Sequence, residues 1–302
     1  MPGSLQGDPK NSMRIQRYRS QAGAIAYGLL HDDGRCERLV GDPFGPEGAA
    51  GLRPSGEEAL IAQLLAPVAP PAILCIGVNY RRHAAEFGSA IPARPVLFLK
   101  PPSAVQNPGG PIELPVALPS DSVDYEGELA VVIGRRCKNV SASEALAAVL
   151  GYCCANDVSA RDWQKRPELG GSQWCRGKGF DSFCPLGPLL ATPATIPNPN
   201  TLPLTTHVSG ELRQDANTSD MIFPVAELIA FLSGSTTLEP GTVILTGTPS
   251  GVGMGSDPPR WLRPGDTVSI TIEGIGILTN PVIAEPLLAE PAGSPDGSPP
   301  SG

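Results

Sequence analysis

Short apolar runs separated by glycine and proline fill most of the chain after residue 72, and this pattern restricts the fold more than any other feature. Each run has the length of one strand and is bounded by turn residues. The 302 residues include 35 glycines and 35 prolines, a content typical of a loop-rich, strand-rich fold. Strands outnumber helices without regular alternation, so we expect a mixed, β-rich α+β fold instead of a doubly wound parallel sheet. The runs are ILCIGV, PVLFLK, LAVVIG, TVILTG, TVSITI and GILTN.

Three segments carry helix signals. Ser55 and Glu58 have the spacing of a capping box ahead of an apolar run. Ser141 and Glu144 repeat that spacing, before a helix that is expected to stop near Gly151. A third helix is expected to begin at Pro224 and to end at Gly234, because proline favours the start of a helix and glycine its end.

Composition divides the chain into four parts. Residues 1–12 and 286–302 are rich in proline, glycine and serine and are expected to be flexible tails. Residues 13–68 form a small N-terminal domain in this interpretation. A proline-rich linker separates it from a larger domain over residues 72–285, which carries the chemistry-bearing motifs.

Charge and cysteine usage exclude several classes of function. A net charge of −8 argues against a general nucleic-acid surface. The apolar stretch 60–78 contains three prolines, so no membrane-spanning helix is expected there. Seven cysteines without a hydrophobic secretory segment predict reduced thiols in a cytoplasmic protein. The basic residues near the start keep a mitochondrial location open.

Acidic side chains alternate in the segment DYEGELAVVIG. Alternate residues on a strand share a face, so Asp124, Glu126 and Glu128 are expected to lie together, and Asp157 after the next apolar run converges on them. The segment contains no lysine or arginine, so burial of these acids calls for a cation. Oxygen ligands suit Mg²⁺ or Mn²⁺. A solvated edge strand with alternating charges is the other interpretation.

A histidine and a glutamate stand three residues apart in GVNYRRHAAE. If this segment is helical, the Glu86 carboxylate reaches the His83 imidazole, fixes its tautomer and raises its basicity. Such a histidine can activate water or move a proton. A surface ion pair is the alternative.

Two later segments supply groups that can hold a carboxylate-bearing substrate. Arg161 and Gln164 lie in ARDWQ and Lys178 in GKGFD, although solvated loop charges would look the same. Thr248 lies in LTGTPSGVG, where glycines allow a ligand to approach the backbone closely. A strand-ending turn is the simpler alternative for that segment.

Taken in order, these motifs resemble the fumarylacetoacetate hydrolase superfamily from about residue 73 to residue 283. The resemblance implies a β-roll fold, usually a homodimer, with Mg²⁺ or Mn²⁺ bound by Glu126, Glu128 and Asp157. It implies that His83, Glu86 and Lys178 are catalytic. It also implies that the substrate is bound by Arg161, Gln164, Thr248 and Tyr80.

The reaction expected from this resemblance is metal-dependent cleavage of a C–C bond in a 2-oxo or 2,4-dioxo acid, by hydrolysis or decarboxylation through an enolate. Keto–enol tautomerisation or isomerisation of an oxaloacetate or dienedioate type is the alternative, because the same enolate serves both. A non-catalytic metabolite-binding protein is a third reading, against which the complete set of acids and histidine argues.

Overall fold

The computed structural model describes residues 12–286. Apart from residues 12 and 286, the two predicted tails therefore lie outside the described residues. Strands dominate, and they form a 12-stranded sheet, a five-stranded sheet and a two-stranded ribbon. This confirms the expected β-rich α+β fold. The domain boundaries proposed from composition stay a prediction. None of the helices in the described range is long and apolar enough to cross a membrane.

Nineteen strands are numbered here in chain order within residues 12–286. The first ten are β1 (Arg14–Ser20), β2 (Ile25–Leu30), β3 (Cys36–Val40), β4 (Arg53–Glu58), β5 (Ile61–Leu65), β6 (Ile73–Gly77), β7 (Val96–Lys100), β8 (Val105–Gln106), β9 (Ile112–Leu114) and β10 (Val123–Asp124). The remaining strands are β11 (Gly127–Ile133), β12 (Val149–Asn156), β13 (Ser159–Ala160), β14 (Cys184–Ala191), β15 (Pro203–Val208), β16 (Glu211–Asn217), β17 (Val243–Leu245), β18 (Thr267–Ile272) and β19 (Gly276–Ala284).

Five short α-helices connect these strands in the described part of the chain. They are α1 (Arg81–Glu86), α2 (Ala142–Ala145), α3 (Arg161–Lys165), α4 (Trp174–Lys178) and α5 (Val225–Ser233). Two of them agree with sequence signals. The second capping box precedes α2, but α2 ends at Ala145 and β12 begins at Val149, before the expected helix end near Gly151. Helix α5 lies between Pro224 and Gly234 as expected.

The helix predicted after Ser55 is wrong, because the segment forms the two strands β4 and β5. Gly56 has φ +79°, which no right-handed helix contains. In addition, β5 pairs with β1, where Leu64 lies opposite Tyr18 and Leu65 opposite Arg17. Pairing with a distant strand thus outweighs a local capping signal.

The large sheet is continuous from the N-terminal strands to the C-terminal part of the chain. Its main order is β4-β3-β2-β1-β14-β12-β11-β17-β6-β7. The register places Ile15 of β1 opposite Leu190 of β14. The central strands β11 and β12 are buried along their entire length. The five-stranded sheet, in the order β16-β15-β18-β19-β9, contributes Leu204, Ile270 and Leu278 to the core shared with β11 and β12.

Candidate active site

Three carboxylates converge at one end of β11 and β12. Glu126 directly precedes β11, Glu128 lies within it, and Asp157 directly follows β12. The pairing of Gly127 with Asn156 brings these strand ends together, and the Asp157 N–H donates to the Glu126 carbonyl at 2.9 Å. One carboxylate oxygen from each acid lies within 4.8 Å of the others, and all three residues are buried. Strand pairing therefore builds the acidic cluster that alternation predicted.

Asp124 does not join this cluster. It lies in β10, where its carboxylate accepts from the Arg161 Nε at 2.9 Å and from the Gly253 N–H at 2.7 Å. The Arg161 Nη2 lies 2.8 Å from Asp124 and 2.6 Å from Glu126. Asp124 thus positions the guanidinium that also pairs with Glu126.

Cations from distant segments compensate the buried acids. The Lys178 Nζ donates to Glu126 and Asp157, at 2.7 Å each. The Lys100 Nζ lies 2.6 Å from the other oxygen of Asp157 and donates to the Val158 carbonyl. The acidic segment itself contains no cation. Arg161 of α3, Lys178 of α4 and Lys100 of β7 supply the compensating positive charge. Lysine and arginine side chains therefore supply part of the positive charge that burial of these acids calls for.

The negative charges of the three acids are not compensated equally. Burial by itself raises the pKa of Glu126, but Lys178 and Arg161 outweigh burial and hold that pKa below its ordinary value. Burial would likewise lower the pKa of Lys178, yet Asp157 and Glu126 raise it. Glu128 has no cationic partner in the described range. Its burial, and then the carboxylates of Asp157 and Glu126, raise its pKa well above the ordinary value.

Glu128, the acid without a cationic partner in the described range, is suited to bind a hard divalent cation. Glu128 accepts one hydrogen bond, from the Gly247 N–H at 2.8 Å, and the donor set of the cluster consists of oxygen atoms. The nearby Tyr80 hydroxyl is buried and has no hydrogen-bond partner among residues 12–286. Burial and then the Glu128 carboxylate raise the Tyr80 pKa, so this hydroxyl stays protonated. A buried carboxyl without a cationic partner, beside an unpaired polar atom, is the environment that a Mg²⁺ or Mn²⁺ ion with its water ligands would satisfy.

His83 and Glu86 form a contact at the end of β6. They lie on α1, and the His83 Nδ1 is 3.0 Å from the Glu86 Oε2. The other oxygen of Glu86 accepts from the Gly251 N–H at 2.9 Å, so the carboxylate is held by the glycine-rich loop. The His83 ring packs edge-on against Phe87. This arrangement anchors Nδ1, and Nε2 makes no hydrogen bond within the described part of the chain.

A cavity of about 220 Å³ joins these groups. It is smaller than the roughly 300–1,000 Å³ of typical drug-sized ligand sites, so it suits a small substrate. Apolar side chains form one side, among them Phe87, Phe98, Trp174 and Met254. The predicted site residues that line it are His83, Glu126, Arg161, Gln164, Lys178 and Thr248.

The other predicted site residues do not line the cavity. Glu128 and Asp157 are almost completely buried, and Glu86, an exposed residue, contacts the His83 imidazole. Tyr80 is fully buried and lies off the cavity wall, so the structure does not bring this predicted substrate contact to the cavity. Its neighbour is the acidic cluster.

Hydrogen bonds hold the polar lining in place. The Arg161 Nη1 donates to the Gln164 Oε1 at 3.1 Å. The Thr248 hydroxyl donates to the Gly127 carbonyl at 3.0 Å and accepts from the Gln214 Nε2 at 2.8 Å. Gln214 also accepts from the Gly127 N–H, so it links the strand between the two glutamates to the threonine loop.

Sequence reasoning missed Lys100, Gln214 and Lys165. Lys100 ends an apolar strand, and a lysine in such a run is the signal that could have indicated a buried charge pair. Gln214 lies in β16 with no local pattern that marks it. Lys165 directly follows the ARDWQ motif and lines the cavity. The four-residue spacing from Arg161, which puts both side chains on one helix face, could have indicated that Lys165 belongs to the site.

The sheet-rich fold and the cavity between the acidic cluster and the histidine–glutamate pair are typical of an enzyme that acts on a small molecule. Comparison with known proteins supports this class. The family model described as fumarylacetoacetate (FAA) hydrolase, C-terminal, matches residues 72–283. A second model, described as Rv2993c-like, N-terminal, matches residues 13–67. The chain therefore belongs to the fumarylacetoacetate hydrolase family, as the motifs implied.

Individual relatives are similar over most of the chain. Protein Rv2993c of Mycobacterium tuberculosis is 49% identical over 221 residues, which cover 73% of this chain and 78% of the relative. Oxaloacetate tautomerase fahd2, mitochondrial, of Xenopus laevis is 46% identical over 73% of this chain and 68% of its own length. The crystal structure of 2-hydroxyhepta-2,4-diene-1,7-dioate isomerase from Mycobacterium marinum has a TM-score of 0.76 and 43% identity, covering 90% of this chain and 99% of that one.

Proposed function

We propose that this enzyme of the fumarylacetoacetate hydrolase family is a divalent-metal-dependent tautomerase or isomerase of a small 2-oxo acid. The observation that carries the proposal is the shared cavity. It brings an anchored imidazole, two buried cations and Glu126 of the acidic cluster to one small volume. The names of the tautomerase and isomerase relatives support this reaction better than the C–C bond cleavage expected from the motifs.

The side chains have separate roles in this reaction. Arg161 and Lys178 place positive charge at the cavity wall, where they can bind the substrate carboxylate and the 2-oxo oxygen. Gln164 and Thr248 add polar contacts to the same wall. These groups are preorganised by their partners, so they need little rearrangement when negative charge develops on the substrate oxygen.

His83 is the proposed proton carrier. Its Nδ1 is anchored to Glu86, which leaves Nε2 to take a proton from the carbon next to the 2-oxo group. The C–H electron pair then forms the C=C bond, and the carbonyl electron pair moves to oxygen. Delivery of the proton to that oxygen completes tautomerisation, and delivery to another carbon of a conjugated chain completes isomerisation, in both cases without loss of any atom.

Glu126, Glu128 and Asp157 would hold the divalent cation. When bound, Mg²⁺ or Mn²⁺ would supply positive charge that stabilises the enolate oxygen. The oxygen donors do not choose between the two ions, since both accept carboxylates and water.

Cleavage is the competing function, and one assay separates the two. Oxaloacetate, freshly dissolved as its enol, is mixed with the protein and Mg²⁺, and the ultraviolet absorbance of the enol is followed. Pyruvate is measured in parallel with lactate dehydrogenase and NADH. We expect faster loss of the enol without faster release of pyruvate, and loss of this acceleration when a chelator is added.

Pyruvate that appears as fast as the enol disappears would instead establish decarboxylation and refute the tautomerase proposal for this substrate. Acceleration of neither process would favour a dienedioate substrate, which is tested by the shift of its conjugated absorbance. If both substrates stay unchanged but bind, the protein binds metabolites without catalysis.

A further inference from the structure

Helix α3 presents three polar side chains to the cavity. Arg161, Gln164 and Lys165 all line it. Residues three and four positions apart share a helix face, so Lys165 is expected on the face that carries Arg161. Lys165 is exposed at the cavity rim, whereas Arg161 and Gln164 are buried.

The three cations that line the cavity differ in their partners. Arg161 pairs with Asp124 and Glu126, and Lys178 pairs with Glu126 and Asp157. Within residues 12–286, the Lys165 ammonium has neither an ion pair nor a hydrogen bond. The ammonium lies over the face of the Phe87 ring, 5.5 Å from the ring centroid.

We propose that Lys165 binds a second carboxylate of the substrate at the exposed rim of the cavity, and thereby selects dicarboxylates. This inference rests on the proposed function, since it places the 2-oxo acid group of the substrate against Arg161 and Lys178. An ammonium without an ion pair or hydrogen bond among residues 12–286 makes this rim complementary to an anion.

The environment of Lys165 supports this role. Burial by the cavity wall, followed by the nearby Arg161, lowers the pKa of Lys165. A bound carboxylate counteracts this lowering, because opposite charge favours the charged form of the ammonium. Phe87 directly follows Glu86 of the histidine–glutamate pair and also packs against His83. A carboxylate at Lys165 would therefore lie beside the segment that carries the proton carrier.

The test compares oxaloacetate with its 4-methyl ester, which lacks the second charge and keeps the 2-oxo acid group. For Lys165→Met we expect KM for oxaloacetate to rise about 10- to 100-fold, the range for loss of a hydrogen bond between charged groups. The value of kcat and the KM for the ester should stay the same. Lys165→Arg should retain most of the preference for oxaloacetate.

Lys138→Met serves as the matched control, because Lys138 is exposed and lies outside the cavity lining. Thermal melting of each variant checks the fold, which an exposed rim residue should not affect. An equal rise in KM for both compounds, or no change for either, overturns the role of Lys165.

Calorimetry separates this inference from the proposed function. If the wild type converts neither compound, the tautomerase proposal fails for this substrate, and the affinities of the two compounds for the Mg²⁺-treated protein are compared instead. Tighter binding of oxaloacetate than of the ester, lost in Lys165→Met, supports the second-carboxylate site. Equal binding of the two compounds, or no binding of either, overturns it.

Discussion

At the scale of single residues, the acidic cluster is asymmetric. Glu126 and Asp157 each contact the Lys178 ammonium, and Glu126 also contacts Arg161. Glu128 contacts a backbone N–H and carries no cation of its own among the described residues. Since a buried carboxylate without a cation is costly, Glu128 is the member whose ionised form gains most from a bound metal ion.

Replacement of Glu128 by glutamine should therefore remove metal binding and leave the fold intact. We expect the affinity for Mg²⁺ or Mn²⁺ to fall by more than the roughly 10- to 100-fold that loss of an outer-shell partner costs. Wild-type protein should melt at a higher temperature with metal than with chelator, since binding to the folded state stabilises it, and the variant should lose this difference. Calorimetry and thermal melting measure both effects.

Glu239→Gln is the control, because Glu239 pairs with Arg136 on the surface. Unchanged metal affinity in Glu128→Gln would show that the cluster is not the metal site.

A second residue-scale prediction concerns the histidine–glutamate pair. His83→Ala should lower turnover by about 100-fold or more, the usual scale for loss of a general base, and metal affinity should stay nearly the same. Glu86→Gln should cause a smaller loss, because Glu86 orients the imidazole without reacting. Enol decay kinetics and calorimetry on both variants check these expectations. Loss of Mg²⁺ binding in His83→Ala would make His83 a ligand, and retained turnover would mean that the proton moves without it.

At the scale of elements, the candidate site lies where four neighbouring strands end. Strands β12, β11, β17 and β6 lie side by side in that order. Because β11 runs antiparallel to β12 and β17, while β17 and β6 are parallel, one edge collects the start of β11 and the ends of the other three. This arrangement brings Asp157, Glu126, Thr248 and α1 to the same edge of the sheet.

Gly127 allows β11 to pass close to the five-stranded sheet. A Cβ at this position would overlap the Thr206 hydroxyl of β15 and would lie 3.0 Å from the Gln214 Oε1. Gly127→Ala should therefore destabilise the fold by about 1–3 kcal/mol, the typical cost of overpacking. It should also lower turnover, since Gly127 separates the two glutamates. Urea unfolding and enol decay kinetics measure the two effects.

Thr206 offers a matched test of this steric cause. Its hydroxyl is buried without a hydrogen-bond partner among residues 12–286, so Thr206→Ala removes the overlapping atom and breaks no such bond. We expect Thr206→Ala to recover part of the stability lost in Gly127→Ala, whereas Thr206→Ser, which retains the hydroxyl, should not. Strictly additive effects in this double-mutant cycle would refute the steric explanation.

At the scale of the whole molecule, one sheet unites the N-terminal strands with the strands that carry the candidate site. Its core includes most of the cysteines, and all seven are free thiols. Cys175 is exposed on α4, whereas Cys75, Cys153, Cys154 and Cys184 are buried in the sheet. The thiols therefore report whether this sheet is intact.

Thiol labelling at pH 8 should give one fast reaction in the native protein, at Cys175. The thiolate is the reactive form, and burial raises the pKa of both Cys154 and Cys184 to about 12. A raised pKa keeps a thiol protonated as pH rises, so these residues should stay unreactive well above pH 8. Labelling with a disulfide reagent, before and after addition of urea, checks this, and Cys175→Ser should remove the fast phase. Fast reaction of Cys75, Cys153, Cys154 or Cys184 in folded protein would contradict the buried sheet.

The expected homodimer stays a prediction at this scale. Size-exclusion chromatography with light scattering checks it, and a mass near 31 kDa at all concentrations would contradict it.

Local spacing in the sequence determined those features that depend on neighbours along the chain. Alternation in DYEGELAVVIG predicted that Glu126 and Glu128 share a face, and the three-residue spacing predicted the contact of His83 with Glu86. Apolar runs bounded by turn residues predicted the strands β6, β7, β11, β17, β18 and β19. The order of the motifs indicated the family, which the family model confirms.

Only the tertiary structure decided which partners complete these local patterns. Lys178 and Lys100 reach Asp157 from other segments, and Arg161 reaches Glu126 through its pairing with Asp124. The segment after Ser55 became two strands because β5 pairs with β1. In each case the deciding energy comes from burial, charge pairing or strand pairing between residues far apart along the chain. No local pattern in the sequence records which distant segment will be adjacent after folding.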